Sequence, residues 1–265
     1  MGLALGSRPV WVARKRRPDY KTEKTIRAAG VSGNAPGGLS VDARRGALEA
    51  VIFDFDGTLA ELVIDFTAMK RRVTEAAAAY LPTVPPANGL PVLEYAARLA
   101  RSMADGEAAR RFLDEVAGHV RDVEIEAAAR ARLFPATRAA LAALAREHVR
   151  CGIITRNCRE AVLRVFPDAE RAVGVVLTRD DTPYVKPDPR HLLSALSALG
   201  AAPARSLMVG DHPMDVATGK AAGTLTAGVA SGRVGLPELG RSEPDFLAAN
   251  VAALLTMLFP NAGAV

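Results

Sequence analysis

Hydrophobic and polar positions fall into two rhythms along this chain. From about residue 133 onward, short apolar runs alternate with stretches whose apolar residues recur every three or four positions. The runs at residues 150–155, 173–177, 206–209 and 225–229 read as buried strands. The stretches at 137–148, 159–166, 189–199, 216–222 and 250–259 read as helices. One further run, Val51-Ile52-Phe53, stands far upstream and ends abruptly in Asp54-Phe55-Asp56-Gly57-Thr58. Between that run and residue 133 the pattern is helical only. A helix is expected over 67–79 with Thr67 as its cap, and a second over 90–103. Asp105 opens a long third one on which Phe112, Val116, Val120, Val123 and Ala127 share a face. Strands alternating with helices imply an α/β fold, a parallel sheet covered on both faces. The upstream strand then belongs to the same sheet, and residues 61–132 are a helical insertion into it.

The first 48 residues follow neither rhythm. Arg14-Lys15-Arg16-Arg17 is a basic run, and residues 30–38 are rich in Gly, Asn and Pro, so a disordered tail is expected. The tail changes how the charge is read. The chain carries a formal +5, but residues 1–48 hold ten Lys/Arg against three Asp/Glu, and the rest holds 24 against 26. The body therefore offers no electrostatic case for nucleic acid; only the tail does, and a dispensable tail is the favoured reading. No apolar run is long enough to cross a membrane. Cys151 and Cys158 form no paired framework and read as reduced thiols, which places the protein in the cytoplasm.

The chemistry begins at Asp54 and Asp56. Residues i and i+2 of a strand point the same way, so both carboxylates face one site at the strand's C-terminal edge, where open α/β sheets bind ligands. The same edge collects Thr155 after Ile153-Ile154, Lys186 in a Pro-rich loop, and Asp211 and Asp215 after the strand at 206–209. Phosphoryl transfer asks for a nucleophile, hard oxygen ligands for a cation, and a lysine and hydroxyl to neutralise the phosphoryl oxygens. All of these are present. Arg156 and Asn157 can steer an anion. His212 either touches substrate or fills its loop, with the loop favoured. Lys70, Arg71 and Arg72 either meet a leaving group or form a solvated helix face, with the solvated face favoured.

The four motifs, Asp54-Phe55-Asp56-Gly57-Thr58, Ile153-Ile154-Thr155, Lys186-Pro187 and Gly210-Asp211 with Asp215, resemble those of the haloacid dehalogenase superfamily in its phosphoglycolate-phosphatase-like branch. The resemblance spans about residues 49–258. It implies a Rossmann-like core over 49–60 and 133–260 and a mobile helical cap over 61–132. It implies a Mg²⁺-dependent phosphatase acting on a small phosphorylated metabolite. In that scheme Asp54 is the nucleophile and becomes an aspartyl phosphate, and Asp56 is the acid and base. Thr155, Arg156, Asn157 and Lys186 bind the phosphate. Asp54, Asp211 and the backbone carbonyl of Asp56 bind Mg²⁺, and Asp215 supports Asp211 from nearby. A phosphomutase of the β-phosphoglucomutase type is the enzymatic rival, and a non-catalytic binding module the rival from another class. A dehalogenase does not need an acid at Asp56. A monomer or homodimer and a cytoplasmic location complete the expectation.

Overall fold

A computed structural model of the protein describes residues 48–259. The expected tail over 1–48 lies almost wholly outside the described residues. Six strands form one parallel sheet: β1 (Ala50–Phe53), β2 (Arg150–Ile154), β3 (Val175–Leu177), β4 (Ser206–Gly210), β5 (Leu225–Val229) and β6 (Phe246–Ala248). Their spatial order is β3-β2-β1-β4-β5-β6. Every residue of β1, β4 and β5 is buried. Such strands are covered on both faces, which is why they read as mostly apolar runs with no regular polar alternation.

Helices cover both sides. On one face Val51 and Phe53 pack with α4 (Thr137–Arg146) and α10 (Val251–Leu258). On the other, Ala50 and Ile52 pack with α7 (Pro189–Leu199). Alternate residues of one strand thus serve two cores, as the two-residue period of a strand requires. The α5 (Arg159–Val165), α6 (Ala169–Ala172), α8 (Pro213–Ala222) and α9 (Leu236–Gly240) helices complete the layer structure. The chain builds outward from β1 to β3, then crosses back to place β4 on the other side of β1. The ends of β1 and β4 therefore flank the point where the winding reverses, which is where such sheets open a crevice.

Residues between β1 and α4 form α1 (Phe66–Ala77), α2 (Val92–Arg101) and α3 (Gly106–Ala128). Their apolar side chains gather into a cluster of their own around Val73, Tyr95, Leu99, Phe112 and Val116. The chain leaves and re-enters the sheet layer at neighbouring points. Glu61 N donates to Arg132 O at 2.9 Å, and Phe134 N donates to Leu59 O at 3.0 Å.

One local expectation is corrected, and three short elements escape the sequence pattern. The α1 cap is Asp65, not Thr67: its carboxylate accepts from the amides of Thr67 and Ala68 at 3.0 and 2.9 Å. A carboxylate there also favours the positive end of the helix dipole. The sixth strand, β6, escapes the sequence pattern because three residues are too few to show a period. The α6 and α9 helices escape it for the same reason, at four and five residues. Asp105 does cap α3, accepting from Glu107 N and Ala108 N. Among the described residues no helix is long and apolar enough to cross a membrane.

Candidate active site

The end of β1 delivers Asp54 to the C-terminal edge of the sheet, where its amide is held by Val209 O at 2.8 Å. The turn that follows needs Gly57, which adopts φ +87°. A side chain there would be strained, and its Cβ would lie 2.4 Å from Asp211 Oδ2. A Cβ at Gly232 would lie 1.8 Å from the same oxygen. Two glycines from separate loops thus make the space in which the Asp211 carboxylate sits.

Lys186 reaches the site from the loop between β3 and α7. Its Nζ lies 2.6 Å from Asp54 Oδ1 and 2.7 Å from Asp215 Oδ1. Burial opposes the charge, but the carboxylates of Asp215 and Asp54 outweigh it and push the Lys186 ammonium up from its ordinary value. The loop itself is held by His191. The Lys186 amide donates to His191 Nδ1 at 3.3 Å, so Nε2 carries the proton and faces Leu177 O at 3.2 Å. Burial, then the charge of Lys186, brings the His191 pKa down to about 4.

Asp215 has two tasks. Its Oδ2 accepts from His212 N at 3.1 Å, and His212 Nδ1 accepts from Met214 N at 3.1 Å. This reciprocal box starts α8. Its Oδ1 meanwhile holds Lys186. With both oxygens engaged, Asp215 fixes Lys186 and the loop that carries Asp211. His212 fills its loop, as favoured from sequence, and its ring also faces the cavity.

Asp56 sits beside Asn157, whose Nδ2 donates to both carboxylate oxygens at 3.2 and 3.0 Å. Thr155 Oγ1 lies 3.5 Å from Asp56 Oδ2 and accepts from Asn157 N at 3.1 Å. Arg156 lines the same cavity, but its guanidinium is already engaged: it makes a bidentate pair with Glu94 of α2 at 2.8 and 2.6 Å and also bonds Lys186 O. Crowding of carboxylates shows in their protonation. Burial, then the neighbouring Asp54, pushes Asp56 up to about 7. Burial, then Asp54 and Asp215, pushes Asp211 up to about 8. Burial raises Asp54 to about 6 against the pull of Lys186.

Carboxylate oxygens of Asp54, Asp211 and Asp215 lie within 4.8 Å of one another. This all-oxygen set, with Asp211 in a glycine-made recess, fits a hard divalent cation such as Mg²⁺. The whole arrangement floors a cavity of about 380 Å³ roofed by residues of α1, α2 and α3 and their linkers.

Sequence reasoning missed the tie between roof and floor. Glu124 of α3 and Arg179, just after β3, form a buried bidentate pair at 2.5 and 2.8 Å, and both face the cavity. Glu124 Oε2 also accepts from Cys158 N at 3.2 Å. A signal was present: Glu124 stands beside Val123 on the apolar face of α3, where an acid needs a buried partner. Cys158 itself is a packed residue whose thiol burial pushes up to about 12.

This fold and this site together define a Rossmann-like α/β scaffold with an acidic centre at the winding reversal. The family described as haloacid dehalogenase-like hydrolase matches residues 48–223. The chain belongs to that family. It is 32% identical over 203 residues to the N-acetylmuramic acid 6-phosphate phosphatase of Pseudomonas aeruginosa, covering 72% of this chain and 85% of that one. It is 45% identical over 109 residues to the pyrophosphatase PpaX of Anoxybacillus flavithermus, covering 40% of this chain and 51% of that one. The chain thus spans about half the length of the PpaX relatives it matches. A solved haloacid dehalogenase-like hydrolase of Bacteroides fragilis superposes with a TM-score of 0.61 at 27% identity, covering 78% of this chain and 99% of that one.

Proposed function

We propose that this protein is a Mg²⁺-dependent phosphatase that hydrolyses a small phosphomonoester through an aspartyl phosphate on Asp54. The observation that carries the proposal is the bridge of Lys186 Nζ between Asp54 and Asp215, with Asp56 two residues beyond the nucleophile. The lysine holds one Asp54 oxygen in place and leaves the other to attack phosphorus. Asp56, oriented by the Asn157 amide, gives its proton to the leaving oxygen. It then takes a proton from the water that hydrolyses the acyl phosphate. Lys186 and Thr155 neutralise the phosphoryl oxygens. Asp54, Asp211 and the backbone carbonyl of Asp56 would hold Mg²⁺, which when bound offsets charge on the phosphoryl group. Asp215 acts through Lys186. The geometry gives Arg156 a lesser part than the sequence suggested, because Glu94 already takes its guanidinium.

We read residues 61–132 as a cap over a core made of 49–60 and 133–260, with tail residues 1–48 outside both. The separate apolar cluster of α1–α3 and the paired linkers at Glu61 and Arg132 support that division. The two free thiols, Cys151 and Cys158, support a reducing, cytoplasmic setting.

The test is phosphate release from a panel of monoesters, with and without Mg²⁺, in wild type and Asp54→Asn. The panel includes N-acetylmuramic acid 6-phosphate, with the anhydride pyrophosphate beside the monoesters, after the names of the relatives. Metal-dependent release that vanishes in Asp54→Asn supports the proposal. Phosphorylation of Asp54 by a sugar bisphosphate without net release points instead to a mutase. Neither release nor phosphorylation refutes both.

A further inference from the structure

His212 has one ring nitrogen engaged and one without a partner. Its Nδ1 accepts from Met214 N at 3.1 Å as the cap of α8, so Nε2 carries the proton. The ring lines the cavity, and among the described residues its Nε2 has no hydrogen-bond or ion-pair partner. The cap fixes more than the tautomer. His212 N donates to Asp215 Oδ2 at 3.1 Å, so backbone and ring are both held and the N–H is presented in one direction. Capping alone does not call for a ring: Ser, Thr, Asn and Asp are the favoured residues there, and all are smaller.

The place of the ring says which part of a phosphomonoester it meets. Thr155, Lys186 and Asp211, which handle the phosphoryl group and the cation, are buried. His212 is exposed, so it stands on the rim of the cavity, where the organic part of the ester lies. The other groups there offer little to an oxygen. Arg156 is held by Glu94 and Lys186 O and lies against Met214 Sδ at 3.5 Å. The roof side chains Leu62, Ile64, Met69, Val92 and Leu93 are apolar. A neutral N–H pairs with one oxygen lone pair. Beside Asp54, Asp211 and Asp215 that oxygen is better uncharged, because a further anion adds like charge to a crowded site. A hydroxyl meets this requirement, and on an exposed rim its own proton can go to water.

We propose that His212 Nε2–H donates to a hydroxyl oxygen of the leaving group, and so selects a small phosphomonoester that is hydroxylated close to its ester oxygen. The inference rests on the phosphatase reading of the same site. A cavity of about 380 Å³ is at the small end for ligand sites and suits a compact substrate of this kind.

The test compares glycerol phosphate, esterified at a terminal hydroxyl, with propyl phosphate, the same carbon chain without the free hydroxyls. Turnover is measured in wild type, His212→Asn and His212→Gln. Asparagine places its amide oxygen near Nδ1 and keeps the cap. Glutamine places its NH₂ near Nε2 and keeps the donor. The ratio of kcat/KM for glycerol phosphate over propyl phosphate should fall about threefold to tenfold in His212→Asn, the worth of one hydrogen bond. In His212→Gln it should stay within about twofold of wild type. Thermal unfolding should rank the variants the other way, with His212→Asn near wild type and His212→Gln lower by about 2–4 °C. A ratio unchanged in His212→Asn overturns the proposal, leaves His212 as a cap, and leaves the phosphatase reading intact. A ratio that falls equally in both variants also overturns it, because the ring then acts through its loop. Where wild type turns over neither ester, calorimetric binding in the Asp54→Asn background decides. An advantage for glycerol phosphate that is lost on adding His212→Asn supports the proposal, and its absence overturns it. The phosphatase reading falls only if the whole panel of monoesters also fails.

Discussion

Breaking the Glu124–Arg179 pair should cost more than its two residues suggest, and removing both should cost less. The side chains are 4% and 8% exposed. Arg179 donates twice to Glu124 and once to Arg156 O at 2.7 Å, and Glu124 also accepts from Cys158 N. Arg179→Met leaves a carboxylate buried with one backbone donor, and the loss of a partner in such a pair costs about 3–5 kcal/mol. Glu124→Gln retains one acceptor for the guanidinium, so the loss is smaller, about 1.5–3 kcal/mol, the worth of a hydrogen bond to a charged group. The double variant Glu124→Gln/Arg179→Met leaves no buried charge. It should be more stable than Arg179→Met alone, with a coupling of at least about 2 kcal/mol. Urea unfolding followed by far-ultraviolet circular dichroism reads each midpoint. Because the pair joins the helices of 61–132 to the sheet, the single variants should also split the transition into two steps. Single variants within about 0.5 kcal/mol of wild type, or strictly additive losses, would show that the pair is not the strut described here.

Other expectations follow from the same contacts. His191 has a folded pKa of about 4 against an ordinary value of 6.5, so the unfolded chain binds its proton first as pH falls. The stability it contributes is complete above pH 6.5 and is lost on the way to pH 4, by about 3 kcal/mol; His191→Gln should flatten that limb of a urea-midpoint profile by that amount. Gly57→Ala places a Cβ 2.4 Å from Asp211 Oδ2 at a positive φ; we expect a loss of more than about 1 kcal/mol in thermal or urea unfolding, together with a fall in activity. Asp215→Asn keeps an acceptor for the His212 amide but weakens the grip on Lys186. The expected result is a folded protein with kcat reduced about a hundredfold or more and KM little changed; a rise in KM at constant kcat would contradict this role.

The sequence determined much of this protein by local rules. Short, mostly apolar runs at 51–53, 206–209 and 225–229 read as strands covered on both faces, and their alternation with helical periods implied a parallel sheet. The first such run ends in Asp54 and Asp56, so two carboxylates at the sheet's C-terminal edge were also legible, as were Thr155, Lys186, Asp211 and Asp215 at the ends of other elements. Such placements depend only on position along a strand or in a loop. Tertiary structure decided what depends on contact between distant segments. Arg156 reads from sequence as a candidate anion ligand, and the fold brings Glu94, 62 residues away in sequence, against its guanidinium. Glu124 and Arg179 are 55 residues apart and meet only because α3 lies across the loop after β3. Lys70, Arg71 and Arg72 are three consecutive cations in the sequence. The phase of α1 turns Lys70 into the cavity and leaves its two neighbours to Glu75 and Glu126. Periodicity says which face of a helix is apolar, but which charge finds a partner is settled by the packing of one element against another.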